Sequence, residues 1–305
     1  MGLCLLCPGQ GSQSPDMFAR LLGDALVAPH VARLARGMDG DALAVAADPR
    51  QCFENRHAQP LVCLFALSVA AALRELDVEP DLVAGYSVGE LAAYGVAGAL
   101  PAEDVVAAAA ARARAMDACA ARGSGMLAVR GVRRAEIEAR AAAHALHIAI
   151  RNGDDHVIVA GVRPNLAALA DELGRHSGAH VVNLPITVPA HSPLLQPAVD
   201  PFRAVLQGLP WQRTPVPVIA GIDASIVRDS GCAIDTLSRQ VAATIEWARV
   251  TDVAVELGAS VFFELGPGNA LVRMLCDRHR GVPARSAADF VSVGGAVSWL
   301  RHHLP

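Results

Sequence analysis

Lysine is missing from this sequence of 305 residues, so arginine supplies all 26 of its basic side chains. Aromatic residues make up only 4%, and the longest apolar run, residues 61–73, is well short of the roughly 20 residues that cross a bilayer. The first segment, MGLCLLCPGQ, has no basic flank and breaks at Pro8, which argues against a signal peptide. The sequence therefore predicts a cytoplasmic protein without a membrane partner.

Other classes are excluded by the charge and the cysteines. The net charge of -4 argues against a nucleic-acid partner, and 53% hydrophobic residues are typical of a compact folded chain. Seven cysteines in apolar contexts argue against a secreted disulfide framework. Cys4 and Cys7 form a CxxC pair, but no second pair or histidine cluster completes a metal site. We expect buried thiols and no bound metal.

Short apolar runs alternate with long alanine-rich segments, which favours an α/β fold around a largely parallel sheet. The runs GLCLLC, DLVAGY, VPVIAGI and SVFFEL are the predicted strands of this sheet. Residues 102–121 and 236–257 are helical in pattern, and their apolar positions suit packing on both faces of the sheet. A chain of this length can form one core or a core with a smaller inserted domain.

The region 125–191 has a different rhythm, with strand and helix patterns in the order βαββαβ. That order is typical of a ferredoxin-like domain. We therefore predict a large α/β domain made of residues 1–124 and 192–305, interrupted by a small ferredoxin-like domain at 125–191. The bends at RGSG and PAHSP are the predicted crossings between the two.

A candidate nucleophile lies in the segment Gly-Tyr-Ser-Val-Gly at 85–89, which matches G-x-S-x-G between a predicted strand and a predicted helix. In that context the Ser87 hydroxyl is presented at the end of the strand, where the helix N-terminus favours developing negative charge. A tight turn that happens to hold a serine fits the motif equally well. The motif by itself leaves both interpretations open.

A serine nucleophile needs a base, and His191 is the candidate because two prolines stiffen its loop where the chain returns to the large domain. Taken alone, a solvated loop histidine is the plainer interpretation. The loop CPGQGSQ should open at the same sheet edge as Ser87, so the amides of Gln10 and Val88 are candidates for an oxyanion hole. A phosphate loop is the rival interpretation, but its lysine is missing.

Arg112 and Met116 lie four residues apart and share one face of a predicted helix, whereas Arg114 points away. The shared face is otherwise alanine and methionine. An arginine there either extends to solvent or is reserved for an anion, and the residues alone favour the first.

The motifs PGQGSQ, AQPLV, GYSVGE, RARAM, GSGM, IRNG, VPAHS, QVAATIEW and ELGPGNAL occur in this order over nearly the whole chain. Together they resemble the acyl-carrier-protein malonyltransferases. The resemblance implies an α/β-hydrolase-like large domain with a ferredoxin-like insertion. It also implies ping-pong transfer of malonyl from malonyl-CoA, through an acyl-serine, to the thiol of an acyl-carrier protein, with no permanently bound cofactor.

The same resemblance implies the catalytic roles. Ser87 is the acylated nucleophile, and His191 is its base. The backbone amides of Gln10 and Val88 hold the oxyanion. Gln240 keeps the histidine in position, where other serine enzymes use an acidic third member.

For substrate binding, the resemblance implies that Arg112 takes the malonyl carboxylate in a bidentate pair, which reverses the plainer interpretation of that arginine. Met116 lines the same pocket, and Asn152 lies near it. One departure concerns Tyr86, because the family pattern usually has histidine there. The nucleophile and its following amide are unaffected by this change.

The segments GYSVGELAAYGVAGAL and ARSAADFVSVGGAVSWL are similar to the transacylase (epsilon) subunit of bacterial malonate decarboxylase. In that setting the acceptor is a phosphopantetheine-type arm, phosphoribosyl-dephospho-CoA, on a small carrier subunit. The malonyltransferase of fatty-acid or polyketide synthesis is an alternative. A serine hydrolase and a non-catalytic assembly subunit are alternatives of other classes, although the acids that a hydrolase triad needs fall inside the predicted insertion.

Overall fold

A computed structural model describes residues 2–38, 40–175 and 178–304 of the chain. The strands are β1 (Leu3–Cys7), β2 (Leu82–Gly85), β3 (Ser124–Arg130), β4 (His147–Arg151), β5 (His156–Val162), β6 (His180–Asn183), β7 (Val218–Ile219), β8 (Ile226–Val227), β9 (Val261–Glu264) and β10 (Ala284–Ser286). The α-helices are α1 (Ala19–Gly23), α2 (Ala28–Ala35), α3 (Ala42–Ala47), α4 (Asn55–Glu75), α5 (Val88–Val96), α6 (Ala102–Cys119), α7 (Arg134–Ala143), α8 (Arg163–Leu173), α9 (Val199–Gln207), α10 (Ser230–Gln240), α11 (Trp247–Glu256), α12 (Ala270–Arg278) and α13 (Val293–His303).

The large sheet has the strand order β10-β9-β1-β2-β7-β8. Its pairs are parallel except at the β7–β8 edge, which is antiparallel. Every residue of β1 is buried, as expected for a continuous apolar run at the centre of a parallel sheet. The predicted α/β class with a parallel core is confirmed, and all four predicted strands occur, although VPVIAGI contributes only Val218–Ile219.

The small sheet has the order β4-β5-β3-β6 and is antiparallel throughout, with α7 and α8 in the connections. The predicted βαββαβ order of a second, small domain is therefore confirmed. One face of this sheet packs beneath α7 and α8 around Leu127 and Val129. From the other face, Met126, Ile150 and Ile158 join the core of the large domain. A cleft between the two domains follows from this arrangement.

The helical pattern over 236–257 is confirmed in two parts, with an interruption that was not predicted. Helix α10 ends at Gln240 and α11 begins at Trp247. Between them, the backbone of Ile245 bonds to Ala149 O at 3.0 Å and accepts from Arg151 N at 2.8 Å, at the edge of β4. The segment leaves the helical path because these bonds tie it to the small domain.

Helix α4 has 21 residues and is long and apolar enough to cross a membrane by length and composition alone. However, 78% of its most apolar window is buried inside the protein, as in the core helix of a folded domain. Cys4 and Cys7 are also fully buried, which confirms the prediction of buried thiols in β1. Among the described residues, no group of three or more His, Cys, Asp or Glu is placed to hold a metal ion.

Candidate active site

Ser87 lies in a sharp turn between β2 and α5, with φ 57° and ψ -121°. Two glycines make the turn possible. A Cβ on Gly85 would lie 2.2 Å from Glu90 N, and one on Gly89 would lie 2.1 Å from Cys7 O. Larger residues would push the turn away from β1 and α5, so the spacing G-x-S-x-G is a packing requirement here. The turn leaves the serine hydroxyl at the carboxyl end of the sheet.

His191 lies next to the Ser87 hydroxyl, on the segment by which the chain returns to the large domain. Its Nε2 is 2.7 Å from Ser87 Oγ, and its Nδ1 is 2.7 Å from the backbone oxygen of Gln240. A carbonyl oxygen can only accept, so Nδ1 carries the hydrogen and Nε2 is free to accept from the serine. His191 also has a positive φ of 58°, and its amide donates to Val241 O at 2.9 Å.

The histidine is kept neutral by its surroundings. Burial and then the Arg112 charge lower the pKa of His191 to about 3, against a smaller opposing effect of its hydrogen bond to Gln240. A neutral imidazole at physiological pH is the form that can take a proton from a serine.

Gln240 contacts the histidine through its backbone, and its side chain bonds to two other residues. The side-chain Nε2 donates to Glu90 Oε2, and Oε1 accepts from Arg112 Nη2 at 3.1 Å. The family resemblance implies that Gln240 holds His191 in position. The structure brings the two together, with the contact on the main-chain carbonyl.

Arg112 is 1% exposed, so it does not extend to solvent as the residues alone favoured. Its Nη1 donates to Gln59 Oε1 at 2.8 Å. Burial lowers the pKa of Arg112 to about 10, which still leaves it charged at neutral pH. Met116, on the same helix face, is equally buried and lies beside Gln59 Nε2. The predicted shared face of Arg112 and Met116 is confirmed.

The two candidate oxyanion donors belong to the helix that follows the serine and to the loop after β1. Val88 N is at the first position of α5, where an amide has no partner within its own helix. The loop after β1 is held close to the serine turn, because a Cβ on Gly9 would lie 2.7 Å from Tyr86 O. Gln10, the next residue of that loop, lines the same cleft as Ser87. Their role as donors stays a prediction.

These groups share a cleft of about 310 Å³ between the two domains. Ser87, His191 and Arg112 line it, and Met126, Ile150 and Ile158 of the small sheet give it an apolar wall. Asn152 lines the cleft as well, 6% exposed, and its Oδ1 has no hydrogen-bond partner among the described residues.

Tyr86, the residue that departs from the family pattern, lies beside this group. Its ring packs edge-on against Trp247 at a centroid distance of 5.2 Å. Burial raises the pKa of Tyr86, and a hydrogen bond with Asn152 partly offsets that rise. The tyrosine therefore fills the position as an aromatic wall with a polar end at Asn152.

Two residues that bond to the candidate site residues were not predicted from the sequence. Gln59 belongs to the motif AQPLV, which was recognised without a role, and it donates to Asn55 Oδ1 so that its own Oε1 faces Arg112. Glu90 is a single acid within the apolar segment VGELAAYGV, and that isolation was the available signal. Both are buried.

The class of this protein follows from comparison with known families. The model of the acyl transferase domain family matches residues 4–294, and the chain belongs to that family. It is 31% identical over 290 residues to the malonyl CoA-acyl carrier protein transacylase of Mycobacterium tuberculosis, with 93% of this chain and 95% of the relative covered. The predicted resemblance is thus confirmed at the level of the family.

Solved structures agree with this assignment. The crystal structure of MCAT from Mycobacterium tuberculosis superposes with a TM-score of 0.90 at 30% identity, covering 98% of this chain and 99% of that one. The malonyl CoA-acyl carrier protein transacylase of Coxiella burnetii gives a TM-score of 0.92 at 23% identity, covering 100% and 98%. This second likeness shows the fold alone.

Proposed function

We propose that this protein transfers malonyl from malonyl-CoA to the thiol of an acyl-carrier protein through a malonyl ester on Ser87. The observation that carries the proposal is the 2.7 Å contact between Ser87 Oγ and His191 Nε2 in a cleft that also contains the buried guanidinium of Arg112. A nucleophile, its base and an anion anchor are the groups that this chemistry requires. Membership of the acyl transferase family supports it.

In the first half-reaction, His191 Nε2 takes the Ser87 proton while Oγ attacks the thioester carbonyl. The amides of Gln10 and Val88 are proposed to hold the oxyanion of the tetrahedral intermediate, where one such donor contributes about 3–4 kcal/mol. The C–S bond then breaks, and the imidazolium gives its proton to the departing thiolate. Free coenzyme A and malonyl-Ser87 are the products of this half.

In the second half-reaction, the carrier thiol gives its proton to His191 Nε2 and its sulfur attacks the ester carbonyl. The C–O bond to Ser87 breaks, and the serine regains a proton from the imidazolium. The histidine thus returns to its neutral form after each half, as a ping-pong cycle requires.

Selectivity for malonyl is proposed to come from Arg112. Its guanidinium pairs with the free carboxylate, while Met116 packs beside the three-carbon chain. Asn152 lines the same cleft as Ser87 and Arg112, which supports its proposed place near the substrate. An acetyl group lacks the carboxylate and leaves the buried guanidinium without its anion, so acetyl-CoA should be a poor donor.

For the carrier, we propose the small subunit of malonate decarboxylase with its phosphoribosyl-dephospho-CoA arm. The support is the similarity of GYSVGELAAYGVAGAL and of ARSAADFVSVGGAVSWL to the epsilon subunit of that enzyme. Malonyl transfer to that carrier and to a fatty-acid carrier with a phosphopantetheine arm should be measured side by side. Faster transfer to the fatty-acid carrier would contradict this assignment and favour the alternative.

The predicted division into residues 1–124 with 192–305, and 125–191, is also retained as a proposal. It is supported by the two sheets, since β3 through β6 span Ser124 to Asn183 and only Ser124 lies outside the proposed small domain. The cytoplasm is the proposed location, because CoA thioesters and carrier proteins are its proposed partners.

Mass spectrometry after exposure to malonyl-CoA tests the proposed function. We expect the protein to gain one malonyl group, which peptide mapping assigns to Ser87. Ser87→Ala should gain none, and Ser12→Ala is the matched control because Ser12 lines the same cleft. Absence of a label would favour an assembly subunit, and rapid loss of the label without a carrier would favour a hydrolase.

A further inference from the structure

Glu90 is a buried acid in the turn of helix that follows Ser87, and its side chain is 0% exposed. Its two carboxyl oxygens differ in their surroundings. Oε2 accepts from Gly221 N at 2.8 Å and from Gln240 Nε2. Oε1 has no hydrogen-bond partner among the described residues. Burying a carboxyl group is costly, so a position that retains one calls for a physical reason.

The reason lies in the side-chain amide of Gln240. An amide has a donating end and an accepting end, and the partner of one end fixes the direction of the other. Because Glu90 Oε2 accepts from Nε2, Oε1 of Gln240 must face the other way, where it accepts from Arg112 Nη2 at 3.1 Å. A reversed amide would put its NH₂ group against the cationic guanidinium.

Gln59 holds the other side of the same guanidinium by the same logic. Its Nε2 donates to Asn55 Oδ1 at 2.8 Å, so its Oε1 faces Arg112 Nη1. Arg112 is thus held between two amide oxygens whose directions are set by their own outer partners.

We propose that Glu90 is a positioning residue that orients the Gln240 amide, and through it aims Arg112 at the carboxylate of the acyl group. This inference rests on the proposed malonyl transfer and adds a determinant of its substrate selectivity. Glu90 does not act on the Ser87–His191 pair by this route, because His191 is held by the backbone of Gln240. Selectivity should therefore depend on Glu90 more than serine reactivity does.

The accepting atom matters for this role, and the negative charge does not. Burial raises the pKa of Glu90 to about 7, against the opposing effects of Gly221 and Gln240. A proton on Oε1, which has no partner among the described residues, would leave Oε2 able to accept from both of its donors. An amide oxygen in the same place can do the same.

Two substitutions separate reach from charge. Glu90→Gln keeps the length of the side chain and an accepting oxygen at its end, and removes the negative charge. Glu90→Asp keeps the charge and shortens the side chain by one methylene group. The measurement is the ratio of kcat/KM for malonyl-CoA to kcat/KM for acetyl-CoA, with thermal unfolding to verify folding. We expect Glu90→Gln to keep the ratio within about threefold, and Glu90→Asp to lower it by about tenfold or more, mainly through the KM for malonyl-CoA.

Glu264→Asp is the matched control. Glu264 lines the same cleft, is also buried, and also has an oxygen without a partner among the described residues. Its other oxygen accepts from Val272 N at 3.0 Å, and no hydrogen bond among the described residues joins it to Gln240 or Arg112. Glu264→Asp should change kcat/KM for malonyl-CoA and kcat/KM for acetyl-CoA by the same factor.

The proposal is overturned if Glu90→Asp keeps the malonyl preference, or if Glu90→Gln loses it, since that would assign the role to charge. Equal loss of both donors in Glu90→Asp would also overturn it, because a merely structural role predicts that result. If the unsubstituted protein transfers no malonyl, the proposed function fails first, and that outcome is distinct from the other three.

Discussion

Replacing Arg112 by alanine tests the origin of selectivity in the proposed reaction. A guanidinium has five N–H donors, and two of them bind the side-chain oxygens of Gln59 and Gln240. The three others suffice for a bidentate pair with a carboxylate. Charge-assisted hydrogen bonds contribute about 1.5–3 kcal/mol each, so a pair is worth roughly 3–6 kcal/mol. That range corresponds to about 10²–10⁴ in kcat/KM.

The assay compares formation of the acyl ester on Ser87 from malonyl-CoA and from acetyl-CoA by rapid quench and intact mass. In Arg112→Ala, kcat/KM for malonyl-CoA should fall by about 10²–10⁴, whereas that for acetyl-CoA should change by less than about tenfold. Acetyl transfer is retained because Ser87 and His191 keep their contact without the arginine. Loss of the Arg112 charge also removes one cause of the low pKa of His191.

Arg114→Ala is the control for this experiment, since it removes the same charge from the exposed face of the same helix. It should leave the preference for malonyl unchanged. An Arg112→Ala protein that still prefers malonyl, or one that is folded yet loses both donors equally, would refute the role assigned to the guanidinium.

Three further outcomes follow from the packing and the buried charges. Gly89→Ala should destabilise the protein by about 3 kcal/mol or more in urea unfolding, because the added Cβ would meet Cys7 O at 2.1 Å. Burial lowers the pKa of His191 to about 3, so below pH 6.5 the unfolded chain binds a proton at this histidine that the folded protein does not. The free energy of unfolding should therefore fall as the pH drops. His191→Gln should recover about 3 kcal/mol of it at pH 4. Burial raises the pKa of Glu264 to about 8. The protonated carboxyl group therefore stabilises the folded state below pH 4.5, and this contribution to the free energy of unfolding is lost as the pH rises to 8. Glu264→Gln should reduce the loss between pH 4.5 and 7 by about 3 kcal/mol, measured by denaturant titration across that range.

The fold was predictable where local pattern and tertiary packing agree. The run LCLLC forms β1 and is buried at every position. The predicted βαββαβ order corresponds to the small antiparallel sheet and its two helices. The interruption of the helical pattern over 236–257 was not predictable, because that segment has no glycine or proline to end a helix. Its break is imposed by backbone bonds of Ile245 to β4, which are distant in sequence and leave no local signal.

The site was predictable to a similar depth. Ser87 and His191 were predictable because serine within G-x-S-x-G is a common nucleophile and histidine is a common general base. The structure brings them within hydrogen-bond distance. Arg112 by itself favoured a solvent-exposed interpretation, because only the packing of α6 on α4 shows that it faces Gln59. Glu90 was missed since an acid on a helix is ordinarily solvated, and burial is a property of the whole fold.

The main-chain contact between position 240 and the histidine has an evolutionary consequence. Every amino acid has the same carbonyl oxygen, so in the proposed mechanism a substitution at Gln240 changes the contact with Arg112, and with it the preferred acid, and keeps the backbone bond to His191. A duplicated gene could therefore acquire a new substrate range in one step at this position. If a carboxylate side chain held the histidine instead, replacing that residue would also remove the hydrogen bond on which the histidine depends.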